Sequence, residues 1–230
     1  MRGIILSVLA FTVLVLVSCS PSDKEDTGST PEAKKYPEVA AFQDSFTRDF
    51  LTSVEPTRNG HFPFLSQTMA YAMDFPEDMI IGERSYNIGP DNRSEFVTMS
   101  PHEPKDIYVE HTVEYYSFLA DEEHSRESIS ARMGVELNFE EIPIDYASQQ
   151  MKVAEYQFDK SMEFATLIWK EGKGRQIHVF SSIRCVKGDQ LKQLNECSEE
   201  KIESAKEEII DWLKTIQLFD SETEPKLIED

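Results

Sequence analysis

Asp106-Ile107-Tyr108-Val109-Glu110-His111-Thr112-Val113-Glu114-Tyr115-Tyr116-Ser117-Phe118 is the stretch that decides the architecture. Ile107, Val109, His111, Val113 and Tyr115 fall on one side of an extended chain. Tyr108, Glu110, Thr112, Glu114 and Tyr116 fall on the other. Successive side chains of a strand point to opposite faces, so this period of two, apolar on one side, reads as a strand with one buried face.

The neighbouring segments supply what that strand needs. Met69 to Phe75 alternates and ends at Phe75-Pro76, a strand closed by a turn, and Glu95 to Met99 is a second short strand. Asp121 or Ser125 can cap a helix carrying Ile129, Met133 and Leu137, with Gly134 an early stop. Lys152 to Phe158 is a strand, and Glu163 to Lys170 and Gln176 to Ile183 form a hairpin around Glu171-Gly172-Lys173-Gly174. Ser198 is placed to cap a last helix whose stripe is Ile202, Ala205, Ile209, Trp212, Leu213 and Ile216, with Glu199 and Glu200 at its positive end. Upstream, Val39, Phe42, Phe46 and Phe50 recur at helical spacing until Pro56 and Asn59-Gly60 break the pattern. Antiparallel strands, interrupted by one helix and closed by another, predict an α+β fold with helices against an antiparallel sheet.

The two ends have a different character. Arg2 precedes an apolar run from Ile4 to Val17 that contains only Ser7 and Thr12 as polar residues. As a helix this run rises about 21 Å, short of a ~30 Å hydrocarbon core, and it reads as a secretory signal. Leu16-Val17-Ser18-Cys19 resembles the lipobox of bacterial lipoproteins. That resemblance implies cleavage before Cys19 and diacylglyceryl and fatty acyl (palmitate-type) modification of its sulfur and amine. An ordinary signal peptide with a chance cysteine is the alternative. Ser20 resembles the outer-membrane class where the cell has two membranes; otherwise the anchor sits on the outer face of the plasma membrane. The expected organisation is a signal at 1–18, a flexible tether at 19–37 rich in Ser, Pro, Thr and charge, one domain at 38–219, and an acidic tail at 220–230.

Cleavage there removes one base and no acid, leaving 22 bases against 43 acids, a net charge of −21. A polyanion of this density repels nucleic acid, which excludes that partner class. With one cysteine spent on lipid, Cys185 and Cys197 remain, twelve positions apart in an exported chain, and they read as a disulfide. A redox or metal role would favour Cys-x-x-Cys or a histidine cluster nearby, and neither is present.

The search for chemistry yields no motif. There is no Gly-x-Ser-x-Gly elbow, phosphate loop or dinucleotide fingerprint, so no catalytic residue and no cofactor are assigned. His111 lies between Glu110 and Glu114, but on a strand it points away from both, so no metal is expected there and a satisfied half-buried histidine is the simpler reading. His124 follows Asp121, Glu122 and Glu123 at a helix start, a capping cluster or a weak cation site. His178 alternates with Phe180 and reads as structural. His61 and His102 lie in Gly- and Pro-flanked loops, either of which could bear a site. Glu110 with Glu114 and Glu140 with Glu141 are acid pairs of a kind that 43 acids produce by chance. Tyr108 and Tyr116 share the polar face of the long strand, a candidate protein interface unless a helix or the Phe42/Phe46/Phe50 segment covers it.

The element order also resembles the PsbP-like fold, through Ala70-Tyr71-Ala72-Met73-Asp74-Phe75-Pro76, the strand near Val109, the hairpin from Trp169 to Ile183 and the helix through Trp212. The resemblance covers Thr68 to Phe219 and implies a domain that docks on other proteins; no binding residues carry over. Together these readings lead to one expectation: a non-enzymatic lipoprotein of the bacterial cell envelope, held by lipid on Cys19 and docking on an unidentified envelope protein. The alternatives are a hydrolase or cation-dependent enzyme built around His61 or His102, or a carrier of a small apolar ligand. The last requires a cavity beneath the terminal helix.

Overall fold

The computed structural model describes residues 35–220, apart from Pro104, Leu119, Ala120, Ala147 and Asp189. The lipobox, Cys19 and the acidic tail beyond Asp220 lie outside the described residues. The described residues from Tyr36 to Asp220 form one compact unit.

In chain order its elements are helical turns α1 (Ala40–Gln43) and α2 (Ser45–Arg48), strands β1 (His61–Leu65), β2 (Tyr71–Pro76), β3 (Met79–Ile81), β4 (Asn87–Ile88), β5 (Ser94–Pro101) and β6 (Ile107–Tyr116), helix α3 (Glu122–Met133), strands β7 (Glu140–Glu141), β8 (Gln149–Phe158), β9 (Ser161–Lys170), β10 (Gln176–Lys187) and β11 (Gln190–Lys192), helix α4 (Glu199–Leu213) and strand β12 (Gln217–Leu218). The large sheet runs β3-β5-β6-β10-β9-β8-β7, with β4 beside β5 and β11 beside β10. The small sheet is β1-β2-β12. Every pairing is antiparallel, so the fold is α+β.

Strand β6 keeps the alternation that its sequence dictates. Its Val113 and Tyr115 join Val97, Met99, Ile177, Val179, Phe164 and Ile168 on an inner face, against Ala205, Ile209, Trp212 and Leu213 of α4 and Phe64, Tyr71, Met73 and Phe75 of the small sheet. On the outer face a second cluster forms where Ile129 of α3 and Leu137 cover Ala154, Ala165, Leu167 and Trp169. Helix α3 starts where Asp121 accepts the His124 N–H at 2.8 Å and stops at Gly134, whose φ of +69° suits only glycine well.

Three expectations are corrected. The Val39–Phe50 helix is two separate turns, because Asp44 is extended and its carboxylate accepts both the N–H and the hydroxyl of Thr47, at 2.7 and 2.6 Å, restarting the helix there. The His61 segment is not a loop but begins β1; Pro63 is tolerated because this is an edge strand. Ser198 stands at the N-cap of α4, but its side chain makes no capping hydrogen bond.

Candidate functional site

Four segments distant in sequence meet beside α4. They are the turn Arg58-Asn59-Gly60-His61, the corner Pro76 to Met79 between β2 and β3, the entry to β6 at Lys105 to Val109, and the exposed side of α4 from Lys201 to Trp212. Between them lies a half-open cleft of about 870 Å³, within the range of ligand sites. Ile107 and Val109 are partly exposed in its floor, with Met79, Ile209 and Trp212 behind them. The disulfide Cys185–Cys197 closes the N-terminal end: Cys197 precedes α4, and Cys185 pairs with Ile107 across β10 and β6.

His111 completes the floor. It is nearly fully buried, its ring 4.1 Å from that of Trp212 and tilted 34° to it, and its Nδ1 lies 2.7 Å from the Ser181 hydroxyl. Burial lowers its pKa to about 3, so the ring is neutral at physiological pH. The Trp212 indole N–H donates to the Asp74 carbonyl at 2.9 Å, fixing the ring that His111 rests on.

The rim is charged, and its cations are already engaged. Arg58 donates to Asp74 at 2.9 Å and lies 3.1 Å from His61 Nε2; Lys105 pairs with Asp78; Lys201 stands 3.5 Å from Asp106. Two rim carboxylates differ from the rest. Glu208 accepts only the Ser204 hydroxyl, at 3.2 Å, and Glu77 has no side-chain partner among the described residues. The Glu77 backbone is nevertheless pinned, donating to the Gly60 carbonyl at 2.9 Å and accepting from the Ala41 N–H at 3.0 Å.

The cleft brings together the two loops suspected from sequence only in part. His61 lies on the rim, and Pro101 and Lys105, either side of His102, line it, but His102 itself is exposed and does not. His124 is exposed on the first turn of α3. No three His, Cys, Asp or Glu side chains are grouped to hold a metal ion among the described residues. The Ser204 hydroxyl of the cleft donates to the Glu208 carboxylate at 3.2 Å, whereas His61 bonds to Arg58 and to the Asn59 carbonyl.

On the opposite face, Tyr108 lies across from Arg184 of β10 and is partly exposed. Tyr116 donates to Glu114 at 2.9 Å and packs on Phe96, Phe118 and His178. Glu114, expected on a solvated polar face, is only 3 % exposed: Arg132 of α3 reaches over Phe180 and donates to both its oxygens, at 2.9 and 2.7 Å. His178 beneath them is buried, its pKa lowered to about 4 by burial, with Glu114 opposing that shift and Arg132 adding to it. Sequence reasoning missed Glu77, Glu208 and the rim lysines. No spacing joins residues that lie on four separate segments.

The comparison with family models matches residues 37–217 to the family described as "Putative lipoprotein YvcA" (YvcA_Mog1p). The chain belongs to this lipoprotein family. Among curated proteins, none matches. Solved structures resembling it include the Saccharomyces cerevisiae Ran-binding protein Mog1p, at 6% identity over 70% of this chain and 96% of that one, with a TM-score of 0.42. A protein of Bacteroides thetaiotaomicron aligns at 10% identity over 72% of this chain and 51% of that one, with a TM-score of 0.39. Likenesses this distant say nothing about what this lipoprotein binds.

Proposed function

We propose that this chain is a cell-envelope lipoprotein, anchored through lipid on Cys19, whose non-enzymatic PsbP-like domain docks on another envelope protein through the cleft beside α4. Two acyl chains hold a protein stably where one holds it marginally, so the anchor confines the domain to the membrane surface. The supporting observation is the cleft itself: an apolar floor at Ile107 and Val109, beneath a rim whose cations Arg58, Lys105 and Lys201 are each paired with a carboxylate of this chain. His111 in the floor is neutral, buried and 2.7 Å from the Ser181 hydroxyl, so its ring is engaged within the fold. The second reading, a small apolar ligand, is favoured by the volume of the same cleft and by its place beside the terminal helix.

Crosslinking in intact cells, comparing the natural chain with Cys19→Ser, tests the docking reading. A defined partner recovered with the anchored form and lost without it is the expected result. Recovery of none with either form would overturn the reading and turn attention to ligand screens on the domain.

A further inference from the structure

The cleft has a chemical preference. We infer that it receives a segment of the partner protein in which a lysine or arginine flanks apolar side chains, the apolar groups seating on Ile107 and Val109 and the cation lying between Glu77 and Glu208. The inference rests on the docking reading above and names the kind of partner surface that fits.

Charge complementarity carries the argument. Each cation lining the cleft, Arg58, Lys105 and Lys201, faces a carboxylate of this chain, so none remains to attract an anion. The carboxylates left over are Glu77 and Glu208, one from the β2–β3 corner and one from α4, both lining the cleft. Glu77 is held ready. Its N–H and carbonyl are both bonded, and its carboxylate lies over Gly60, where a Cβ would stand 3.7 Å from Oε1. A φ of +71° at Gly60 keeps that position free of a side chain. The backbone bonds fix where the side chain starts, and among the described residues its carboxylate has no partner of its own to give up on meeting a cation. The whole chain, at net −20, adds a long-range field that draws a basic surface and repels an acidic one.

The apolar half of the preference comes from β6. Ile107 and Val109 continue the stripe of Val113 and Tyr115, but α4 does not cover them fully, and they stay partly exposed where the core residues are sealed. An aliphatic or aromatic side chain laid there would bury them, while its neighbouring cation reached the rim.

A photoreactive benzoylphenylalanine at Ser204, exposed on the α4 wall, and another at Tyr108, on the opposite face of β6, test this in cells with the anchored full chain. The expected result is an adduct at Ser204 whose crosslinked peptide, read by mass spectrometry, carries a lysine or arginine beside apolar residues. Its yield should fall at least about fivefold in the Glu77→Gln/Glu208→Gln double variant, as for loss of charge-assisted contacts at an interface. An adduct at Tyr108 alone would leave docking standing and overturn the cleft as its site. An adduct at Ser204 unchanged by the double variant, or mapping to an acidic segment, would overturn the charge preference. A small molecule co-purifying with the domain and blocking the Ser204 adduct would overturn the peptide occupant. No adduct at either position would overturn docking itself.

Discussion

Glu95 and Glu114 on one side, and Glu77 and Glu208 on the other, are the same side chain in opposite circumstances. Glu95 is fully buried and accepts from the N–H groups of Gln67 and Thr68, the Thr68 hydroxyl and the Tyr86 hydroxyl, all within 3.2 Å. Glu114 is buried under Arg132 and Tyr116. Glu77 and Glu208 stand at the mouth of a cleft with one weak partner between them. The difference separates carboxylates that build the fold from carboxylates left for something else. A buried ion is tolerated only with its bonds complete, so the buried two must act on stability, and the cleft pair must not.

The largest effect expected of that contrast is at Glu95. Its acceptors hold the turn from Ser66 to Ala70, where Ser66 Oγ takes the Ala70 N–H at 2.9 Å and Met69 adopts a φ of +55°. Glu95→Ala strands several buried donors and opens a void, for a loss of about 3–5 kcal/mol. Urea unfolding measures it; a loss below about 1 kcal/mol would mean that the donors find water or new acceptors.

Next is the disulfide, which ties the α4 wall to the floor at Ile107. Replacing Cys185 and Cys197 together by serine should cost about 3 kcal/mol. The loss should be uneven: hydrogen exchange should quicken in the first turns of α4 and at the start of β6, and the Glu95 turn should keep its protection. Uniform loss of protection would mean that the cleft and the Glu95 region open as one unit.

How far this was legible depends on how local the cause is. The β6 alternation, the α3 cap at Asp121, the Gly134 stop, the hairpin of β9 and β10 and the α4 stripe are written in neighbouring residues, and each element lies where its pattern sits. The break at Asp44 depends on one carboxylate turning back to Thr47, which periodicity cannot register. Glu114 reads from sequence as one of an acid pair on a polar face and Glu95 only as the start of a strand, because their burial is imposed by Thr68, Tyr86 and Arg132, which lie 9 to 27 positions away. The cleft was the least legible: its floor was read as core, correctly for Ile209 and Trp212, but nothing in β6 marks where the cover of α4 runs out.

The two buried histidines give a pH dependence of intermediate size. Both have folded pKa values lowered by burial, His111 to about 3 and His178 to about 4. Unfolded histidines take up protons below about pH 6.5, whereas the folded ones stay neutral until far lower. The unfolded state therefore binds more protons, and stability present above pH 6.5 is lost as pH falls toward these values. Each histidine should cost about 1.4 kcal/mol per pH unit in that window, or about 2 kcal/mol at pH 5. Urea midpoints at pH 7 and pH 5 read it, and His178→Gln should flatten the slope. A slope that the substitution leaves unchanged would place the acid sensitivity in His111 or in carboxylates instead.

The smallest expected effect is the one that most sharpens the contrast. Glu77→Gln and Glu208→Gln, singly or together, should change unfolding stability by less than about 0.5 kcal/mol, as exposed substitutions away from structural contacts do. The sign should lean toward stabilisation, because each removes a negative charge from a chain of net −20. The Glu77 backbone bonds to Gly60 and Ala41 do not use the carboxylate, so the corner between β2 and β3 has no reason to move. Thermal unfolding of the double variant beside Glu95→Ala places both kinds of carboxylate on one scale. If the cleft variant lost as much as the buried one, Glu77 and Glu208 would be holding α4 to the β2–β3 corner through water, and the cleft would be a seam of the fold instead of a place kept open.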